Sequence, residues 1–169
     1  DHRWASFPSF AVGWAFSEEK FIKDNIGHWL SWGKIRSSYG TSGQIFTDEY
    51  LAHGIVDLRS SFNGIQAARV GTAIAPNLTW EKTWQYDLGL DLDLFNNRIG
   101  IRMDYYYKYS DDLLYDVEIP NLYVPMSQMR NAMAVINKGF EFDIQADIFR
   151  NTEVKWRTKY NMSKNWNKL

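Results

Sequence analysis

From Trp84 to Leu94 apolar and polar residues alternate without a break. Trp84, Tyr86, Leu88, Leu90, Leu92 and Leu94 fall on one face, and Gln85, Asp87, Gly89, Asp91 and Asp93 on the other. This period of two predicts a β-strand with one apolar face. A helix would gather Leu88, Asp91 and Leu92 on a single stripe. The length of the pattern carries as much meaning as its period. About ten residue steps of roughly 3.3 Å make about 33 Å. Tilted by about 40°, the strand rises about 25 Å, the height of the apolar band of an outer-membrane barrel. Strands of soluble proteins run to only about 5–6 residues.

Asn96-Asn97 follows and predicts a two-residue turn with positive φ. Beyond it Ile99, Ile101, Met103, Tyr105, Tyr107 and Tyr109 alternate with Gly100, Arg102, Asp104, Tyr106 and Lys108. Folding the hairpin there sets Leu94 against Ile99, Leu92 against Ile101, Leu90 against Met103 and Leu88 against Tyr105, with Asp91 opposite Arg102. A second hairpin sets Phe140, Phe142, Ile144, Ala146 and Ile148 against Val154, Trp156, Thr158, Tyr160 and Met162. Folded about Asn151, it places Asp147 opposite Lys155 and Asp143 opposite Lys159. Opposite charges facing across strands support such a register, and a slip by one residue would send every side chain to the wrong face.

Two shorter patterns, Phe10-Val12-Trp14-Phe16 and Ile35-Ser37-Tyr39, predict further strands. Between them Ser17-Glu18-Glu19 reads as a helix N-cap with acidic first-turn residues, giving a helical turn around Glu18 to Lys23. The expected wall therefore has six strands, at about 7–16, 33–40, 80–95, 98–114, 137–149 and 153–165, with long loops at about 41–79 and 115–136. Tight turns at one end and long loops at the other are the habit of bacterial outer-membrane barrels, whose long loops are extracellular. The fold class expected is all-β: a transmembrane antiparallel up-and-down β-barrel, of which these six strands are a part.

Composition sharpens this picture. Aromatics are 17% of the residues, with 8 Trp, 10 Tyr and 10 Phe. Such rings gather where one side of a side chain is apolar and the other wet. Trp84, Tyr105, Tyr107 and Tyr109 read as a girdle at the extracellular edge of the lipid face, and Trp14, Phe16 and Trp32 as its counterpart at the opposite edge. A net charge of −1 with no basic stripe argues against nucleic acid as a partner. No run of about 18 apolar residues predicts a transmembrane helix. There is no Cys, and His2, His28 and His53 lack metal-ligand spacing, so no metal and no cofactor is expected. No nucleophile–base signature or phosphate-binding motif appears, and no enzymatic activity is expected. Asp87, Asp91, Asp93, Glu141, Asp143 and Asp147 read as lining of a polar barrel interior. Asp48-Glu49 and Asp111-Asp112 read as solvated surface, since no EF-type spacing surrounds them.

The chain opens on Asp1 and closes on Asn167-Lys168-Leu169 beside strand patterns, so both ends read as cuts within a longer chain. Several blocks then resemble one family. "FPSFAVGWAFSEEKF" (Phe7 to Phe21), "KIRSSYGTSG" (Lys34 to Gly43), "PNLTWEKTWQYDLGLDLDLFNNRI" (Pro76 to Ile99), "DYYYKYSDDLL" (Asp104 to Leu114) and "NKGFEFDI" (Asn137 to Ile144) are similar, in order, to segments of SusC/RagA-type TonB-dependent outer-membrane transporters. The loop from Gln44 to Ala75 shows no such similarity. The resemblance implies a 22-stranded barrel filled by a plug, of which this piece is from the C-terminal part. It also implies placement in the outer membrane of a Gram-negative cell, contact with its lipid, a SusD-like surface lipoprotein as lid and energy from a TonB complex reached through segments outside this chain. The implied cargo is an oligosaccharide or a peptide. For cargo contact the candidates are the loop aromatics Phe46, Tyr50, Phe62 and Tyr123, with Trp80 at the strand entrance. The competing reading is a soluble β-sandwich carbohydrate-binding module, which would share the strands and the aromatics but not strands of this length.

Overall fold

Uninterrupted alternation gives long strands, and the long strands pair edge to edge into one wall. A computed structural model of the chain describes residues 4–45, 55–75, 77–120, 126–150, 153 and 155–169. The strands are β1 (Ser9–Trp14), β2 (Leu30–Gln44), β3 (Ile55–Phe62), β4 (Ile65–Thr72), β5 (Glu81–Leu94), β6 (Ile99–Ile119), β7 (Met126–Phe149) and β8 (Trp156–Lys168). A 3-10 turn (Phe16–Glu18) and helix α1 (Lys20–Ile26) join β1 to β2. The wall itself is antiparallel, in the order β1-β2-β5-β6-β7-β8. The β3–β4 hairpin stands off it and touches β7 through one parallel pair, Thr72 with Ser127.

Register carries one apolar row across all six wall strands: Trp14, Ile35, Leu90, Met103, Phe142 and Met162. The polar row beside it, on the opposite face, is Lys34, Asp91, Arg102, Asp143 and Asn161. The β5–β6 register is the one that the alternation predicts, from Leu94–Ile99 through Leu88–Tyr105, with Asp91 opposite Arg102. The turn differs from expectation. Phe95, Asn96 and Asn97 all have positive φ (54°, 57° and 58°), and the Arg98 N–H donates to the Leu94 carbonyl at 2.9 Å. The connection is thus four residues, Phe95 to Arg98. Phenylalanine rarely takes this conformation. Here its N–H donates to the Trp29 carbonyl at 2.7 Å, and the Asn97 N–H donates to Ser31 Oγ at 3.2 Å, so the start of β2 holds the turn.

The β7–β8 register is shifted by two residues from expectation. Asp147 faces Arg157 and Gln145 faces Lys159, where Lys155 and Asp143 were expected as the partners. Between Asp147 and Phe149 the register changes by one residue, which leaves Phe149 opposite Trp156. A shift of two keeps every side chain on its face, and Lys159 still reaches Asp143 diagonally, Nζ to Oδ2 at 3.0 Å.

Other expectations also change. The span expected as a loop at 41–79 contains the β3–β4 hairpin, turned by Asn63 (φ 50°) and Gly64 (φ 78°). The loop expected at 115–136 is largely strand, since β6 runs to Ile119 and β7 starts at Met126. Ser17 is not an N-cap. It lies within the 3-10 turn, buried, with no hydrogen-bond partner for its Oγ among the described residues. Glu19 occupies the cap position of α1 and accepts instead from Trp14 Nε1 at 3.2 Å. Trp32 pairs with Asp93 beyond a bulge after Leu30, so it shares the polar face with Lys34 and Arg36 and does not mark the lipid edge. Trp14 and Phe16 do meet on the apolar side, their rings 6.1 Å apart.

Among the described residues no core lies behind this wall. Among the described residues only Leu30 and Ala75 are buried apolar residues, and no large side chain is fully buried. Phe10 (69% exposed), Tyr160 (57%) and Leu88 (42%) lie open on the apolar face. A sandwich would cover that face with a second sheet. Six strands leave both edges and the apolar face uncovered. The 169 residues alone are therefore expected to aggregate without detergent; sedimentation of a monodisperse, cooperatively unfolding species in plain buffer would contradict the wall.

Candidate functional site

The polar face is organised by ion pairs that bridge neighbouring strands. Arg36 of β2 donates from Nε to Asp91 Oδ2 at 3.1 Å and from Nη2 to Asp104 at 2.7 Å, tying β2, β5 and β6 together. It can do so because Gly89 lies beneath it: a Cβ there would come within 2.5 Å of Arg36 Cζ. Gly139 is likewise covered by the Tyr106 ring, directly opposite it in the register. Asp87 accepts from Ser38 Oγ at 3.1 Å and from Gln85 Nε2 at 3.0 Å. Asp147 receives Arg157 at 2.5 Å and Arg150 at 3.6 Å, while Arg98 donates to the carbonyls of Asp147 and Ile148. These paired charges suit a wetted interior: they satisfy one another without needing an apolar cover. Arg102 stands apart. It lies opposite Asp91 and Asp143 yet makes no ion pair among the described residues, and it lines a concavity of about 390 Å³ with Asp104, Glu141 and Asn161.

At the loop end the wall is fastened by side chains. Asn131 of β7 donates from Nδ2 to the carbonyls of Thr79 (3.0 Å) and Asp112 (2.5 Å), and its Oδ1 accepts from the Thr79 N–H at 2.9 Å. The Leu114 N–H donates to Glu81 Oε1 at 2.9 Å. Gln128 Nε2 donates to the Ile74 carbonyl, and the Ala73 N–H to the Ser127 carbonyl at 2.9 Å. A hollow of about 400 Å³ remains between Ala75, Leu78, Gln128 and Arg130. No pattern in the sequence marks Asn131 or Gln128, because their partners come from segments that only the sheet order brings together.

The expected site residues fall in different places. Trp80 is half-buried at the entrance of β5, its ring tilted against Phe7 at 5.7 Å. Trp84 and Tyr109 stack nearby at 5.6 Å, as a girdle pair would. Phe62 is the last residue of β3, opposite Ile65 at the hairpin turn. Phe46, Tyr50 and Tyr123 lie outside the described residues, as do Asp48, Glu49 and Asn151. Among the described residues no cluster of His, Cys, Asp and Glu is arranged to hold a metal ion. No helix there is long and apolar enough to cross a membrane, which leaves strands untouched as a means of crossing.

Comparison with known proteins follows the same line. The family model described as "TonB dependent receptor-like, beta-barrel" matches residues 1–168. TonB-dependent receptor P26 of Formosa agariphila is 36% identical over 174 residues, covering 100% of this chain and 17% of the relative. TonB-dependent receptor SusC of Bacteroides thetaiotaomicron is 34% identical over 186 residues, again covering 100% of this chain and 17% of the relative. The RagAB peptide importer in its closed-closed state superposes with a TM-score of 0.80 at 27% identity, over 95% of this chain and 18% of that one. Its open-open state gives 0.78 at 28% identity, over 95% and 17%. The chain thus spans about 17% of the length of the relatives it matches. The resemblance to the SusC/RagA type is borne out, and the soluble sandwich finds no support in these matches. With a wall apolar on one face, ion-paired on the other and matched from end to end, the chain belongs to the TonB-dependent receptor family, as a stretch of its β-barrel.

Proposed function

We propose that this chain forms part of the barrel wall of an outer-membrane importer of glycans or peptides, energised through TonB and capped by a SusD-like lipoprotein. The observation that carries the reading is the two-faced wall. An apolar row crosses six strands on one side, while Arg36, Asp91 and Asp104 knit the other. A lipid phase on one side and water on the other is the setting that stabilises both faces. A relative named SusC and a peptide importer of known structure support the transport class. In this reading the β3–β4 hairpin and the β6–β7 extension face the cell exterior, and Phe46, Tyr50, Phe62, Trp80 and Tyr123 contact cargo at that end. No catalytic role is assigned to any residue.

The test is genetic. Deleting the full receptor should abolish growth on one member of a panel of glycans and peptides as sole carbon source. Wild-type receptor should restore it, and a receptor uncoupled from TonB should not. Restoration by the uncoupled receptor would overturn the energised mechanism, and unchanged growth across the panel would overturn the importer.

A further inference from the structure

Three lysines stand together on the apolar, outward face of β7 and β8, where a barrel meets lipid. Lys138 faces Trp166, Phe140 faces Lys164 and Ile136 faces Lys168, so Lys138 is the diagonal neighbour of both other lysines. Diagonal neighbours of this kind are about 7–8 Å apart, close enough for long side chains to share one ligand. All three are exposed. Lys164 holds its Nζ 5.2 Å from the centre of the Trp166 ring. None of the three has a carboxylate partner among the described residues, whereas Arg36, Arg157 and Lys159 on the other face each sit on one. Their neighbours on the outward face, Tyr107, Ile136, Phe140 and Trp166, are aromatic or aliphatic.

Height identifies what these cations meet. From Trp156 to Trp166, both exposed on this face, about ten residue steps of roughly 3.3 Å, tilted about 40°, rise about 25 Å. The two tryptophans therefore mark the two edges of the apolar band, and the lysines bracket the upper one. A lysine on the lipid face costs about 2–4 kcal/mol at mid-membrane and about 0–1 near the interface, and its stem can lie along apolar surface while the ammonium reaches the headgroups.

We infer that Lys138, Lys164 and Lys168 form a binding site for the phosphate of an anionic lipid in the outer leaflet, with Trp166 packing beside its headgroup. The inference rests on the outer-membrane reading above, which sets which end of β8 faces out. The test uses the full-length receptor in detergent, with phosphorylated lipid A, dephosphorylated lipid A and inorganic phosphate as probes, and bound lipid counted by native mass spectrometry. Wild-type receptor should hold phosphorylated lipid A in preference to the dephosphorylated form. Each of Lys138→Gln, Lys164→Gln and Lys168→Gln should weaken it about fivefold, and the triple variant more than about tenfold. Lys→Arg at the same three positions should keep binding, and heat-dependent gel mobility reports whether each variant holds a folded barrel. Equal binding by folded wild type and triple variant, or by folded single variants should the triple not fold, would overturn the site. Full competition by millimolar inorganic phosphate would overturn the lipid as its source. Failure of the wild-type receptor to enter phosphatidylcholine vesicles would instead remove the membrane reading, and the site with it.

Discussion

Leu90→Arg is expected to destabilise the complete barrel by about 2–4 kcal/mol, the cost of a cation near the middle of the lipid face. Leu90 lies in the apolar row between Ile35 and Met103, well inside β5, with Leu88 and Leu92 above and below it. No carboxylate of β5 shares that face: Asp87, Asp91 and Asp93 all alternate to the other side. An arginine there lies too far from either edge of the band to bring its guanidinium to water without thinning the lipid. Detergent- or vesicle-refolded receptor titrated with denaturant should show the loss as a lower midpoint at unchanged slope. The same substitution at Gln85, one face over, should change stability by less than about 1 kcal/mol, since interior positions tolerate charge. An unchanged midpoint for Leu90→Arg would remove Leu90 from the lipid face.

Arg36→Met is the second large effect. Arg36 is the cation that two carboxylates share, Asp91 on β5 and Asp104 on β6, and its loss leaves those acids as diagonal neighbours on adjacent strands without the cation they share. Hydrogen bonds to charged groups contribute about 1.5–3 kcal/mol each, but the Arg36 side chain is 41% exposed, so solvent screening reduces the sum to about 1–2 kcal/mol. The physical claim is coupling, so a double-mutant cycle measures it. Arg36→Met should cost clearly less in an Asp91→Asn, Asp104→Asn background than in wild type. Strict additivity would mean that the bridge contributes no stability.

The parts of the fold legible in the sequence are those where alternation is continuous. From Trp84 to Tyr109 both faces and the whole β5–β6 register follow from period two and the position of Asn96-Asn97. Legibility ends where a residue is inserted. Around Asp112, with φ 56° and a register shift between Ser110 and Leu114, β6 loses its alternation while continuing as a strand to Ile119. The register also changes by one residue between Asp147 and Phe149, and β8 begins only at Trp156 where a start at about 153 was expected, so that Asp147 faces Arg157 and not Lys155. The β3–β4 hairpin did leave a signal, Asn63-Gly64 between two extended runs, which is a strong local turn pair. The interior was readable as a set of charges but not as pairs. That Arg36 and not Arg102 holds Asp91 depends on β2 lying beside β5, a neighbour far away in sequence, and on Gly89 leaving room. Asn131 is illegible for the same reason, since Thr79 and Asp112 meet it only once the wall has formed.

The wall with lipid on one side and water on the other is tested most directly residue by residue along β5. The chain has no native cysteine, so single cysteines can be placed at each position from Asp87 to Asp93 in the full receptor, with any cysteines elsewhere removed. A spin label at each site is then read for its collisions with a lipid-soluble and with a water-soluble relaxing agent in reconstituted vesicles. Leu88, Leu90 and Leu92 should report lipid, and Asp87, Asp91 and Asp93 water, a strict alternation with a period of two. A uniform profile along β5, or one that puts water on the leucine side, would contradict the account.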